Sequence, residues 1–191
     1  MKRLQHLINT PLSLEEIQKI MVSATGHETK ILNVEDVKET DTMESLFSQF
    51  NDCVIYSPIA NLYNGHFQCM FKDDINKIIY WFDSYGHNPS YLYKFVKQNY
   101  NRSDNNALYK ILYRYSNGSK YKLVMNTIDY QSETSNAADC GRYATSVLIF
   151  HRKIEDFSFE KYYDLITYYM KKMKLKNYDE AIVMLTEEFL K

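Results

Sequence analysis

The sequence predicts an α+β fold with a central, mostly antiparallel sheet and flanking helices. Helix signals come first along the chain, strand signals follow, and helix signals return, an order that favours α+β over alternating βαβ units. Two apolar runs near the middle of the chain have the pattern of a β-hairpin. Hydrophobic residues make up 45% of the 191 residues. This is enough for one sizeable core, so we expect a single domain over residues 1–191.

The N-terminal part of the chain contains two helix-capping patterns and a strand. Ser13 and Glu16 form a capping box ahead of IQKIMV, which predicts a helix beginning at Ser13. Asp41 and Glu44 repeat the pattern ahead of SLFSQF. The apolar segment CVIYS, residues 53–57, predicts a strand that leads into the hairpin.

The hairpin consists of the apolar runs HFQCMF and KIIYWFD, separated by the polar segment KDDIN. If its centre falls between Asp74 and Ile75, His66 lies directly opposite Asp83. Directly opposed residues hold their Cβ atoms about 4.5–5.5 Å apart. The sequence therefore predicts a contact between an imidazole and a carboxylate at the open end of the hairpin.

Helices dominate the predictions for the rest of the chain. Asn88 and Pro89 suit the N-cap and the first position of a helix. The other predicted elements are a helix over 106–115, a strand over 120–125, a loop over 126–138, a helix from Cys140 on, and a helical C-terminal part (about 156–191) with helices over about 158–173 and 178–190, the last capped by Asn177.

Composition excludes several classes of protein. The 23 basic and 24 acidic residues give a net charge of -1, which argues against a surface built throughout for nucleic acid. The N-terminus lacks the apolar stretch of a signal peptide, and no run has the length of a membrane span. Three cysteines without paired spacing predict a reducing intracellular compartment rather than secretion. The Cys and His spacing does not fit a metal site, so we expect no metal.

Cys140 stands in the segment NAADCGRYATSVLIF, at the predicted beginning of a helix. The N–H groups and the dipole of a helix N-terminus favour a thiolate, but they contribute only about 0.3–1 kcal/mol. An imidazolium must therefore supply most of the stabilisation, and His66 oriented by Asp83 is the candidate, provided that the fold brings residues 66 and 140 together. Cys53 and Cys69 lie at apolar strand positions, where we expect unreactive thiols.

An acyl-transfer site also needs donors for the oxyanion that forms during the reaction. The backbone N–H of Cys140 is one candidate, and Gly141 beside it leaves room for the backbone of a substrate. The side-chain amide of Gln131, in the preceding polar loop, is a candidate for the second donor. Asn136 is the alternative to Gln131.

The segments NGHFQCMF, WFDSYG and Gln131 followed by ADCG, in the order His, Asp, Gln, Cys, resemble the adenovirus-type maturation proteases and the related SUMO-deconjugating cysteine proteases. The resemblance covers about residues 50–150. It implies a central sheet that carries the histidine and the acid, and a core helix with the nucleophile at its N-terminus. The implied roles are Cys140 as nucleophile, His66 as general base and then acid, Asp83 as its orienting partner, and Gln131 in the oxyanion hole.

Two features differ from the pattern of this family. Phe67 stands where the family usually has a tryptophan directly after the histidine. The spacing between Gln131 and Cys140 is longer than the family pattern leads us to expect, which is why Asn136 remains the alternative donor.

The resemblance implies a viral maturation endopeptidase that cleaves capsid or scaffold precursors after small residues such as glycine, in the virion and the host cell interior. Three alternatives remain: a deconjugase or effector for ubiquitin-like proteins, an acetyltransferase with the same triad, and a non-catalytic binding module. Some members of the family are stimulated by DNA or by a short peptide. The lysine-rich stretch over 171–176 is accordingly either a solvated helix end or a patch for nucleic acid or an acidic partner.

Overall fold

The computed structural model describes residues 2–61, 64–91, 106–117, 121–131 and 138–191. The chain divides into two compact units. We call Thr29–Thr127 the sheet unit, and Met1–Glu28 together with Ile128–Lys191 the helical unit. The expectation of a single domain stays a prediction.

The sheet unit contains five strands in the order β1-β2-β3-β4-β5. The strands are β1 (Lys30–Asn33), β2 (Asp52–Asn61), β3 (Asn64–Asp73), β4 (Ile78–Phe82) and β5 (Lys122–Met125). The two central ladders, β2 with β3 and β3 with β4, are antiparallel, whereas the outer ladders are parallel. The sheet is therefore mixed. β1 was not predicted, because KILN is too short to show a strand pattern.

Helices occupy both units, and their arrangement confirms the predicted α+β class. They are α1 (Lys2–Ile8), α2 (Leu14–Thr25), α3 (Met43–Leu46), α4 (Ala107–Asn117), α5 (Cys140–Lys153), α6 (Phe159–Lys172) and α7 (Tyr178–Glu187), with a 3-10 turn at Val34–Asp36. All but α1 and the 3-10 turn correspond to predicted helices. A helical turn at 89–91 begins where Asn88 accepts the N–H of Ser90, and the predicted continuation over 92–100 lies outside the described residues.

The caps show where the helix predictions were right and where they were displaced. The Ser13 hydroxyl accepts the Glu16 N–H at 3.1 Å, and the Glu16 carboxylate accepts the Ser13 N–H at 2.8 Å, so the predicted capping box is present. The predicted start at Asp41 was one residue too early. Thr42 caps α3, because the Asp41 carboxylate instead accepts the backbone N–H of Lys38.

The register of the β3–β4 hairpin differs from the predicted one by two positions. Asp73 pairs with Ile78, so the loop has four residues and its centre lies one residue later than predicted. The Asp73 carboxylate accepts the N–H groups of Ile75 and Asn76, and Lys77 adopts a φ of 56°, which together shape this longer turn. A shift of two leaves every residue on its predicted face.

One face of the sheet is covered by α3 and α4. Met70 of β3 and Trp81 of β4 are paired in register and belong to one buried apolar cluster. Leu46 of α3 and Ile111 of α4 belong to the same cluster. Because side chains alternate along a strand, His66 and Gln68 lie on the same face as Met70.

In the helical unit, α5 is buried from Cys140 to Leu148. It packs against α2 and α7, and α6 packs against α7. The lysines of residues 171–176 are exposed at the end of α6, which fits either interpretation of that stretch. No helix in the described part of the chain is both long and apolar enough to cross a membrane.

Gly65, which precedes His66, has no room for a side chain. A Cβ built on Gly65 would lie 2.6 Å from Cζ and 2.7 Å from Oη of Tyr56. We expect Gly65→Ala to lower the free energy of unfolding by about 1–3 kcal/mol, since the ring of Tyr56 must move. Urea unfolding measures the effect. Tyr56→Leu in the same chain should recover much of the loss, whereas an unchanged stability of Gly65→Ala alone would contradict the expectation.

Candidate active site

The imidazole of His66 and the carboxylate of Asp83 form a buried pair in the sheet unit. Nε2 of His66 lies 3.1 Å from Oδ2 of Asp83, and the two residues are 5% and 1% exposed. The predicted contact is thus present, although the register differs. Continuing the ladder by one pair places Gln68 opposite Asp83, and His66 reaches the same carboxylate from two residues farther along β3.

Asp83 accepts two further hydrogen bonds. Its Oδ2 accepts from Nε2 of Gln68 at 2.8 Å, and its Oδ1 accepts from the backbone N–H of Tyr85 at 2.8 Å. Burial by itself would raise the pKa of the carboxyl group. The charge of protonated His66 and these hydrogen bonds outweigh burial, so the pKa of Asp83 is lowered. Asp83 is therefore an ionised acceptor at neutral pH.

Gln68 links the pair to β2, and sequence reasoning did not identify it. The Ser57 hydroxyl donates to Oε1 of Gln68 at 3.1 Å, which fixes the amide so that its nitrogen points to Asp83. Ser57 is itself paired in register with His66. The available signal was the alternation of the strand: a buried amide two residues after a histidine shares its face.

A second amide, that of Asn126, holds the backbone of Asp83. The Asp83 N–H donates to Oδ1 of Asn126 at 2.9 Å, and Nδ2 of Asn126 donates to the carbonyl of Asp83 at 2.8 Å. Asn126 directly follows β5, and its own N–H donates to the carbonyl of Trp81. The position after a strand was the only sequence signal for this residue. The end of β5 thus positions the end of β4.

The segment DSYG makes a tight turn beyond the carboxylate. The Gly86 N–H donates to the carbonyl of Asp83 at 2.9 Å, and Gly86 adopts a φ of 72°, a conformation that glycine accepts readily. The turn places the ring of Tyr85 against that of His66, with centroids 4.9 Å apart and planes at 25°. The imidazole is therefore held at one edge by a carboxylate and on one face by an aromatic ring.

The helical unit contains the other predicted site residues. Cys140 is the first residue of α5 and is 8% exposed. Gln131 is buried at the end of the described segment 128–131. Asn136, the alternative to Gln131, lies outside the described residues. The proposed roles of Cys140 and Gln131 stay predictions.

The other two cysteines differ from Cys140 in their surroundings. Cys53 of β2 and Cys69 of β3 are fully buried. Burial is the largest cause that raises the pKa of both thiols, and the charge of Asp52 adds to it. Both are inert as nucleophiles at neutral pH.

The geometry of the pair defines which ring nitrogen can act as a base. A carboxylate only accepts hydrogen bonds, so Nε2 of His66 donates the proton in its contact with Asp83. In neutral His66 the lone pair is then on Nδ1. An imidazole of this tautomer can take a proton at Nδ1, and the buried carboxylate stabilises the imidazolium that results.

The described residues contain no cluster of three His, Cys, Asp or Glu side chains that could hold a metal ion. The chemistry that the pair supports is general acid–base catalysis at Nδ1 of His66.

Comparison with known proteins finds no matching family model and no matching curated protein. Among solved structures, the chain resembles the C-terminal Ulp1 protease domain in complex with Smt3, the yeast orthologue of SUMO. The sequence identity is 14% and the TM-score is 0.42, and the match covers 99% of this chain and 80% of that chain. It also resembles SUMO protease Ulp1 with its catalytic cysteine oxidised to a sulfinic acid, with 13% identity, coverages of 100% and 84%, and a TM-score of 0.42. These values do not assign the chain to a family.

Asp83 should make the stability of the protein depend on acid pH. Because its pKa is lowered in the folded state, its contribution is present above the ordinary aspartate value of about 3.9 and is lost as the pH falls through the folded value. We expect Asp83→Asn to lower the free energy of unfolding at pH 7 by about 1.5–3 kcal/mol, and the difference from wild type to shrink below about pH 4.

Urea unfolding across this pH range measures the difference, and Asp36→Asn is the matched control. Asp36 is an exposed aspartate of the same unit, so its substitution should change stability little. A difference between wild type and Asp83→Asn that stays constant with pH would contradict an ionised, stabilising Asp83.

Proposed function

We propose that the chain is a cysteine endopeptidase with Cys140 as nucleophile, His66 as general base and acid, and Asp83 as the residue that orients His66. The observation that carries the proposal is the buried contact of His66 with Asp83, reinforced by Gln68. It leaves Nδ1 as the basic nitrogen in an environment that stabilises the imidazolium. A thiol at the beginning of a buried helix supplies the matching nucleophile.

In the first half of the proposed reaction, Nδ1 of His66 takes the proton of the Cys140 thiol. The thiolate attacks the carbonyl carbon of a peptide bond, forming an S–C bond and a tetrahedral oxyanion. His66 then returns its proton to the leaving amine as the C–N bond breaks, which leaves an acyl group on Cys140. The proposal requires Sγ of Cys140 to come within reach of Nδ1 of His66.

In the second half, Nδ1 of His66 takes a proton from water, and the resulting hydroxide attacks the acyl carbon. The S–C bond breaks, a carboxylic acid is released, and the imidazolium of His66 returns its proton to the sulfur of Cys140, which restores the thiol. The backbone N–H of Cys140 and the amide of Gln131 are the proposed donors to the oxyanion in both halves. The reaction needs no metal or organic cofactor.

For the substrate, we propose viral capsid or scaffold precursors, cleaved after a small residue such as glycine inside the virion or the host cell. This finer proposal is supported by the resemblance of the His, Asp and Cys motifs to the adenovirus-type maturation proteases. Gly141 beside the nucleophile supports close approach of an extended substrate backbone. A conjugate of a ubiquitin-like protein is the alternative substrate.

The reactivity of the thiols tests the nucleophile first. We expect iodoacetamide at neutral pH to modify Cys140 and to leave Cys53 and Cys69 unmodified in the folded protein, as mass spectrometry of the digest would show. His66→Ala should slow the modification of Cys140 about 10-fold or more, because the imidazolium stabilises the thiolate. Cys69→Ala is the control and should leave the rate at Cys140 unchanged. Equal rates in wild type and His66→Ala would count against the proposed pair.

Co-expression tests the activity and the substrate. We expect new termini on co-expressed capsid or scaffold proteins, found by mass spectrometry, that are absent with Cys140→Ser. Asp83→Asn should slow cleavage by about 10³-fold or more, since the histidine loses its orienting partner. Asp36→Asn should cleave as wild type does.

A ubiquitin-like protein with a C-terminal vinyl sulfone distinguishes the alternative substrate. Rapid labelling of Cys140 by this probe, without cleavage of the precursors, would replace the maturation role with deconjugation. Acetylation of a protein from acetyl-CoA without any proteolysis would contradict the endopeptidase altogether.

A further inference from the structure

Asp139, the residue before Cys140, is an N-terminal cap that does not use its side chain. Its carbonyl accepts the N–H groups of Arg142 at 2.8 Å and Tyr143 at 3.1 Å, so its backbone begins α5. An aspartate at this position ordinarily accepts an N–H of the first turn with its carboxylate. The side chain of Asp139 accepts none, and it is 0% exposed. The carboxyl group is buried for another reason.

The group that Asp139 meets is a second carboxyl group, that of Asp179 on α7. Among the described residues, neither carboxyl oxygen of Asp139 has a hydrogen-bond partner. The carboxyl group of Asp179 is close enough for its charge to raise the pKa of Asp139. Two carboxylates repel each other and have no hydrogen between them. A hydrogen bond between them therefore requires one of the two groups to be protonated.

Tyr143 indicates which of the two carboxyl groups carries the proton. Its hydroxyl donates to Oδ1 of Asp179 at 2.8 Å, and Asp179 lies in the first turn of α7, where a negative charge is favoured. Both residues lie at the N-terminus of a helix, but only Asp179 receives a hydrogen bond, whereas neither oxygen of Asp139 has a donor among the described residues. Asp139 and Tyr143 are four residues apart on one face of α5, so both side chains of that face meet Asp179.

The positive charge of Arg142, which acts on Asp139, is already balanced by another residue. The guanidinium of Arg142 lies 2.8 Å from the carboxylate of Glu187 and donates to the hydroxyl of Thr186 at 2.9 Å. The titratable and charged groups around the pair are Arg142 and Tyr143 on α5, Asp129 and Tyr130 in segment 128–131, Tyr162 on α6, and Glu180 and Glu187 on α7. The charged side chains of α1 and α2 are exposed.

We infer that Asp139 and Asp179 share one proton, held on Asp139, and that their hydrogen bond fixes the beginning of α5 against α7 and thereby positions Cys140. The positioning part of this inference rests on the proposed function, in which Cys140 is the nucleophile. Asp139 is a positioning residue: it touches no substrate, and it acts through the helix that begins at its own carbonyl.

The inference implies a dependence of stability on alkaline pH. Burial is the largest cause, and the charge of Asp179 the second, that raises the pKa of Asp139 to about 8. The unfolded chain releases this proton near pH 3.9, so the stability that the pair contributes falls as the pH rises from about 4 and is lost as the folded group ionises. This direction is opposite to that expected for Asp83.

Asp139→Asn and Asp139→Ala test the shared proton. The amide of Asn donates to Asp179 as the protonated acid does but does not titrate, so we expect Asp139→Asn to match wild type at about pH 4 and to exceed its Tm by an increasing margin up to about pH 9. Asp139→Ala leaves Asp179 without this donor, and its Tm at about pH 5 should fall by about 5 °C or more. Asp164→Asn, an exposed site on α6, should follow wild type throughout.

Infrared spectroscopy detects the shared proton itself, and a role of Asp139 in packing alone would not produce this signal. Wild type should show the C=O band of a protonated carboxyl group at neutral pH, and Asp139→Asn should lack it. Iodoacetamide should modify Cys140 in Asp139→Asn at a rate within about 2-fold of wild type. In Asp139→Ala the rate of modification of Cys140 should differ from that of wild type at least several-fold.

Absence of the band, with Tm differences that do not vary with pH, would overturn the shared proton even if Asp139→Ala fails to fold. An unchanged rate of modification in a folded Asp139→Ala would overturn the positioning. These readouts do not depend on peptide cleavage. A wild-type protein that shows the band but cleaves no substrate would refute the proposed function and leave the proton pair in place.

Discussion

The carboxylate of Asp83 is the interaction on which the candidate site depends. Three donors converge on its two oxygens, from the ring of His66, the amide of Gln68 and the backbone of Tyr85. A charge that is 1% exposed is tolerated only because its lone pairs are used in this way. The ends of β3, β4 and β5 all contribute to this arrangement, since Asn126 holds the backbone of Asp83 from the adjacent strand.

Two buried carboxyl groups of one chain are treated in opposite ways by their surroundings. Asp83 keeps its charge because N–H donors and an imidazole face it, whereas Asp139 faces another carboxyl group and no N–H donor among the described residues. Burial acts in the same direction on both, so the difference comes from the partners alone. Asp83 contacts the proposed base, and Asp139 directly precedes the proposed nucleophile in the sequence.

The sequence predicted the helices with caps and the strands with apolar runs, because these signals are local. It also predicted the contact of His66 with Asp83 from the wrong register, since an error of two positions preserves the face of a strand. Gln68 and Asn126 were not identified, because their roles depend on which strands become neighbours. β1 was not identified because its four residues are too few to show a strand pattern.

The helical unit is assembled from the two ends of the chain, and this has a consequence for biosynthesis. The sheet unit is one continuous segment, so it can fold on the ribosome while the later segments are still being made. The apolar residues of α2 must wait for α5, their packing partner, which emerges much later. A nascent chain can therefore complete the contact of His66 with Asp83 before α5 has been synthesised.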